Sequence, residues 1–97
     1  MRSVRVIIRG RVQGVGFRWF VKDAADAHGV SGWVRNLRDG SVEAELRGED
    51  AAIQTVVDAI SDGPAGSRVD NVRTTEEASP ISTPPAASPA FAICTTV

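Results

Sequence analysis

Apolar residues recur along this chain with two periods, and the points where the period changes mark its elements. Val4, Val6 and Ile8 alternate with Arg5, Ile7 and Arg9, a period of two that predicts a strand with one apolar face. From Phe17 the spacing lengthens. Phe17, Phe20, Val21, Ala24, Ala25 and His28 share one helical stripe, with Lys22, Asp23 and Asp26 on the far side. Gly29 is placed to end this helix as a left-handed cap. Residues 30–36 return to strand period, with Val30, Gly32 and Val34 on one face and Trp33 on the other. Asp39-Gly40, within residues 37–40, is a hairpin signal. Residues 41–47 follow as a third strand. Val42, Ala44 and Leu46 face inward and Glu43, Glu45 and Arg47 face outward, which predicts a sheet with one covered and one wet face.

Gly48-Glu49-Asp50 opens a second helix, whose stripe is Ala52, Ile53, Val56, Val57 and Ile60 and whose stop is Gly63-Pro64. Residues 69–75 read as a weaker fourth strand. Residues 76–90 hold four prolines and three serines with no period, so they read as a loop or extension. Phe91, Ile93, Thr95 and Val97 then alternate as a last short strand, with Cys94 pointing the other way and read as a structural residue. The order β-α-β-β-α-β is the split β-α-β, ferredoxin-like arrangement of the α+β class. It predicts an antiparallel sheet with both helices on one face, as a single domain over residues 1–97.

Composition narrows the field. A chain of 97 residues with 42% hydrophobic residues is one domain able to bury a core. Its net charge of −1 gives no support to general nucleic-acid binding, and Glu43 and Glu45 on the open face argue against an RNA-binding sheet. One cysteine excludes an internal disulfide and a cysteine metal cluster. No signal peptide and no membrane span are visible, so a reducing, cytoplasmic setting is expected.

The chemistry concentrates between the first strand and the first helix, in Gly10-Arg11-Val12-Gln13-Gly14-Val15-Gly16-Phe17-Arg18. Gly14 and Gly16 can adopt backbone angles closed to other residues, which lets consecutive N–H groups turn inward as a nest for an anion. The free N–H groups and positive dipole end of the helix add to it. Phosphate is the natural guest, and Arg18 supplies a planar fork of donors that suits it. No acid neutralises the first turn, whereas the second helix has Glu49 and Asp50 there. The loop lacks the Gly-Lys-Ser/Thr ending of a Walker A motif and the third glycine of a dinucleotide fingerprint. Taken singly, the glycines also fit a plain strand-to-helix turn, and Arg18 a surface position. Asn36, before the hairpin, fits either a turn residue or a neutral amide holding a water beside an anion. Trp19 falls off the helical stripe, as a packing residue or a wall of the anion site. His28, at the far end of the helix, reads as a capping or surface residue and not as a base.

These segments resemble the acylphosphatase family. The stretch from Gly10 to Arg18 matches its phosphate-loop signature. Gly32-Trp33-Val34-Arg35-Asn36-Leu37 followed by Asp39-Gly40-Ser41-Val42-Glu43 matches its second motif. Similarity continues through Gly63-Pro64 and Val69-Asp70, while residues 76–90 are longer and richer in proline than the family's usual link. The resemblance implies hydrolysis of the carboxyl–phosphate bond of a small-molecule acyl phosphate, with no metal, no cofactor and no covalent intermediate. By motif position it implies that Gln13, Gly14, Val15, Gly16, Phe17 and Arg18 form the phosphate loop. Arg18 is then the phosphate-binding arginine, and Asn36 orients the attacking water. A carboxylate leaving group, whose acid has a pKa of about 4, needs no general acid. A monomer without membrane or nucleic-acid partners is expected. A non-catalytic anion-binding module on the same fold is the alternative, against which the presence of both Arg18 and Asn36 argues.

Overall fold

Val4, Val6 and Ile8 are fully buried, as their alternation requires, and they anchor the first strand of a five-stranded sheet. The computed structural model describes residues 2–76 and 91–94. Along the chain run β1 (Arg2–Arg11), α1 (Phe17–Ala27), β2 (Ser31–Asn36), β3 (Val42–Gly48), α2 (Asp50–Asp62), β4 (Arg68–Glu76) and β5 (Ala92–Ile93). The strands lie in the order β4-β1-β3-β2-β5. Val4, Val6 and Ile8 pair with Leu46, Ala44 and Val42 in register, so two apolar rows meet on one face. Phe17, Val21 and Ala25 of α1 and Ile53, Val56 and Ile60 of α2 close over that face as one continuous core. Each valine, isoleucine or phenylalanine among them contributes roughly 1.5–3 kcal/mol when removed from water.

The helices stop as their sequences require. After Ala27 the chain turns through His28 and Gly29, whose φ is +69°. Val30 N–H donates to Ala25 O at 2.9 Å and Gly29 N–H to Asp26 O at 3.4 Å, the paired bonds of a Schellman cap. His28 is exposed at this end, away from the glycine loop. Gly63 N–H likewise donates to Ala59 O at the end of α2.

Two expectations are corrected. The sheet is not wholly antiparallel: β1–β3, β1–β4 and β2–β3 are, but β5 runs parallel to β2, with Trp33 beside Ala92 and Val34 beside Ile93. Alternation within a strand fixes its faces but not its direction against a partner distant in sequence. Second, Glu43 and Glu45 do lie on the face away from the helices, yet both are buried. Their neighbours cover them. Arg5 and Arg35 pair with the Glu43 carboxylate at 3.2 and 2.8 Å, Arg47 reaches Glu45 at 3.3 Å, and the Arg35 guanidinium stacks 4.7 Å over the Trp33 ring. Of the loop expected over residues 76–90, Glu76 is instead the last residue of β4. Residues 77–90, Thr95 and Val97 lie outside the described residues.

At the loop end of β1 the pairing with β4 shifts register between Arg9 and Gly10. Gly10 has φ +132°, and a Cβ there would stand 2.1 Å from Arg68 O and 2.8 Å from Asp70 N. Both obstacles are backbone. Gly10→Ala is therefore expected to lower the free energy of unfolding by at least about 2 kcal/mol. Urea melts should show a lower midpoint at unchanged slope; an unchanged midpoint would mean that this junction yields freely.

Candidate active site

The loop between β1 and α1 is built from apolar anchors and bare backbone. Val12 and Phe17 are buried and Val15 packs against the core, while Gly14 and Gly16 are exposed with φ +77° and +76°. These left-handed residues bring the chain round onto the helix axis. Gly16 is the N-cap of α1, with no side-chain cap and no acid in the first turn. The first helical bond runs from Phe20 N–H to Gly16 O at 3.0 Å. The N–H groups of Phe17, Arg18 and Trp19 therefore have no partner inside the helix. By contrast, α2 carries Asp50 in its first turn.

Arg18 leaves the first turn of α1 toward the β2–β5 edge. Its Nη1 donates to Cys94 O at 3.4 Å, and Cys94 N–H donates to Val34 O at 2.8 Å. A guanidinium has five N–H donors, so most of the fork remains for a ligand. The same contacts set Arg18 beside the last residues of β2, where Asn36 sits. The half-buried Asn36 carries a buried Oδ1 that accepts no hydrogen bond among the described residues. An acceptor left in this state costs about 1–3 kcal/mol. Thus the structure brings the loop, Arg18 and Asn36 to one end of the sheet. Trp19, in the same turn as Arg18, is 61% exposed and does not belong to the core.

Three features of this end were not visible as site features in the sequence. Gln13 does not turn its amide toward the loop: Nε2 donates to Leu37 O at 2.7 Å and to Ser41 O at 2.9 Å, across to the hairpin. The Cys94 carbonyl steadies Arg18 through the backbone, which no side-chain pattern records. The Cys94 thiol is pushed above its ordinary pKa by burial, with Arg35 pulling the other way, so it is protonated at neutral pH. Finally, Asp39 folds the hairpin on itself, accepting from Ser41 N–H at 2.9 Å and Ser41 Oγ–H at 2.5 Å. Here a signal existed, since Asp two residues before a donor is an Asx-turn pattern.

Charge favours an anion at this end. Arg9 pairs with Asp39 at 3.4 Å and Arg68 with Asp70 at 2.9 Å. Among the described residues Arg11, Arg18 and Arg38 have no carboxylate within ion-pair distance. Cations without a paired carboxylate favour the approach of an anion.

The chain was compared with known proteins. A sequence model of the acylphosphatase family matches residues 4–88. An acylphosphatase of Rhizobium etli is 53% identical over 72 residues, covering 74% of this chain and 77% of that one. The crystal structure of an acylphosphatase from Bacillus subtilis superposes with a TM-score of 0.87 at 39% identity, covering 97% of this chain and 99% of the other. An acylphosphatase structure from Coxiella burnetii gives 0.83 at 30% identity, over 96% and 92% of the two chains.

The hairpin contact gives a pH-dependent expectation. The Asp39 carboxyl is held below its ordinary pKa, first by the Ser41 hydroxyl, then by the Ser41 N–H and by Arg9. A depressed carboxyl stabilises the fold above its unfolded value of about 4, and that stabilisation is lost as pH falls through the lower folded value. Asp39→Ala should therefore lower Tm at pH 7 and cease to do so at a pH below the folded value. Thermal melts from pH 2 to 8 check this; an equal loss at every pH would assign the effect to something other than the ionised carboxylate.

Proposed function

The chain belongs to the acylphosphatase family and is a hydrolase acting on acyl phosphates; from that premise we propose the following division of labour among its residues. The N–H groups of the loop from Gln13 to Phe17 and the guanidinium of Arg18 hold the three peripheral oxygens of the phosphoryl group. Asn36 holds the water. The observation that carries the second role is the buried, unpartnered Oδ1 of Asn36 at the same end of the sheet as the loop.

A water that donates one hydrogen to Asn36 Oδ1 keeps a lone pair to aim at phosphorus, in line with the bond that breaks. The phosphorus–oxygen bond to the acyl group then cleaves, and the carboxylate leaves with the electron pair. The water's proton passes to a phosphoryl oxygen. An acyl phosphate dianion and water thereby become a carboxylate and dihydrogen phosphate, with charge conserved. Transfer of a phosphoryl group is mostly positioning and charge stabilisation, which aligned N–H groups and a fixed guanidinium supply. A carboxylate departs unaided, so no general acid is needed.

The same reading takes the enzyme as a monomer in a reducing, cytoplasmic compartment; its single cysteine can form no internal disulfide. No helix of the described residues is long and apolar enough to cross a membrane.

Hydrolysis of acetyl or benzoyl phosphate tests the assignment of Arg18. Arg18→Ala should remove measurable turnover while circular dichroism and Tm stay close to the parent. Arg18→Lys should restore little, because a point charge does not replace two parallel donors. A Lys variant with nearly full kcat/KM would overturn the forked contact.

Asn36→Asp separates an orienting amide from a required base. Two unit charges about 5 Å apart repel by roughly 3 kcal/mol at an effective dielectric of about 20 and by under about 1 kcal/mol in water. A carboxylate facing a phosphoryl group should therefore lower kcat/KM by roughly ten- to a hundredfold. The Asp variant is expected to be no faster than Asn36→Ala at pH 7, and to recover partly as pH falls and the carboxyl protonates. An Asp variant clearly faster than Ala at neutral pH would show that the site wants a base.

A further inference from the structure

Gln13 reaches out of the phosphate loop. Its Nε2 carries two hydrogens, and both are donated to the β2–β3 hairpin, to Leu37 O at 2.7 Å and to Ser41 O at 2.9 Å. The two acceptors lie 24 and 28 residues further along the chain. They are also tied to each other, since Leu37 N–H donates to Ser41 O at 2.9 Å. Leu37 follows Asn36 directly, and Ser41 precedes Val42, the residue opposite Asn36 in the β2–β3 register. One carboxamide thus grips both chain segments next to Asn36 while its own backbone belongs to the loop.

We propose that Gln13 is a positioning residue for the reaction: its side chain fixes the distance between the loop, which holds the phosphoryl group, and Asn36, which holds the water. The amide itself makes no contact with phosphate. This rests on the roles given above to the loop and to Asn36. Attack in line needs the reacting atoms about 3–3.5 Å apart and aligned, so a small drift of the hairpin costs rate. It costs little phosphate affinity, because the phosphate is held by loop N–H groups and Arg18. Loss of the Gln13 bonds should therefore appear in kcat and not in phosphate binding.

A double-mutant cycle tests this. Gln13→Met keeps the length of the side chain and removes both donors. For acetyl phosphate it should lower kcat about tenfold, with the competitive inhibition constant of inorganic phosphate changed less than twofold. In an Asn36→Ala background the same change should alter kcat less than twofold, since no positioned water is left to disturb. A weaker phosphate inhibition constant with kcat retained, or the full tenfold loss repeated in the Asn36→Ala background, overturns the proposal. The Asn36→Ala leg reports separately on the premise: if that variant alone keeps full kcat, the role of Asn36 falls and the coupling with it. Gln13→Glu provides a second reading should the Met variant not fold. Its carboxyl, where low pH protonates it, donates to one carbonyl, whereas its carboxylate donates to none at pH 7.5. Its kcat relative to the parent enzyme should rise as pH falls; a constant ratio counts against the proposal.

Discussion

The constraint on which this structure turns is an uncapped helix terminus. The first turn of α1 has no side-chain cap and no acid, and it carries Arg18, a cation, where a helix favours an anion. A glycine N-cap in place of a hydroxyl or carboxylate cap costs only a few tenths of a kcal/mol, and the unfavourable charge costs about 0.3–1 kcal/mol more. The fold does not relieve this internally, although α2 shows that the same chain can place an acid at a helix start. An anion seated on the loop relieves both defects at once. On the proposed reading, the stability forgone in the free protein becomes binding energy for a phosphoryl group, and the glycines that shape the loop add no side chain to block it.

What remains is to hold that terminus in one place, and the sheet does so through its order. Because β3 is central, with β1 and β2 on either side, the glycine loop after β1 and the hairpin after β2 emerge at the same end. Gln13 joins them through two hydrogen bonds. Because β5 runs parallel to β2, the Cys94 carbonyl comes level with the end of β2, within reach of Arg18. Three stretches far apart in sequence, residues 13–18, residues 36–41 and Cys94, therefore meet at one end of the sheet. The buried arginine–glutamate contacts on the opposite face of the sheet serve the same rigidity. Glu43 has two arginine partners, so replacing either Arg5 or Arg35 leaves its buried carboxylate still paired with the other.

Much of this was legible from the chain and some was not, for physical reasons that can be named. Periods of two and of 3.6 gave the strands and helices, because they follow from how side chains leave the backbone. The loop and Arg18 stood out because glycine pairs and an unneutralised helix start are local departures from the rule. Burial of Glu43 and Glu45 was not legible. Alternation tells which face a side chain takes, and only the neighbouring strands decide whether arginines and Trp33 lie over it. The direction of β5 was hidden for a similar reason. Gln13 was read as part of the loop, which it is, but its partners are set by a hairpin that only the folded chain brings near.

The same view explains how so sparse a site suffices. Loop N–H groups, a guanidinium and a carboxamide do not change protonation near neutral pH. A site made of such groups can neither donate a proton to a leaving group nor take one from water. It fits a reaction in which the leaving group is already a weak base and the phosphoryl group accepts the water's proton. Poorer leaving groups, such as alkoxides, need an acid that nothing in this constellation supplies. With the proposed site residues, a preference for acyl phosphates over ordinary phosphate esters would follow from what the site lacks as much as from what it holds. On the proposed assignment, the burden that other hydrolases place on an acid–base pair falls on distance, the quantity that the proposed Gln13 bridge would control.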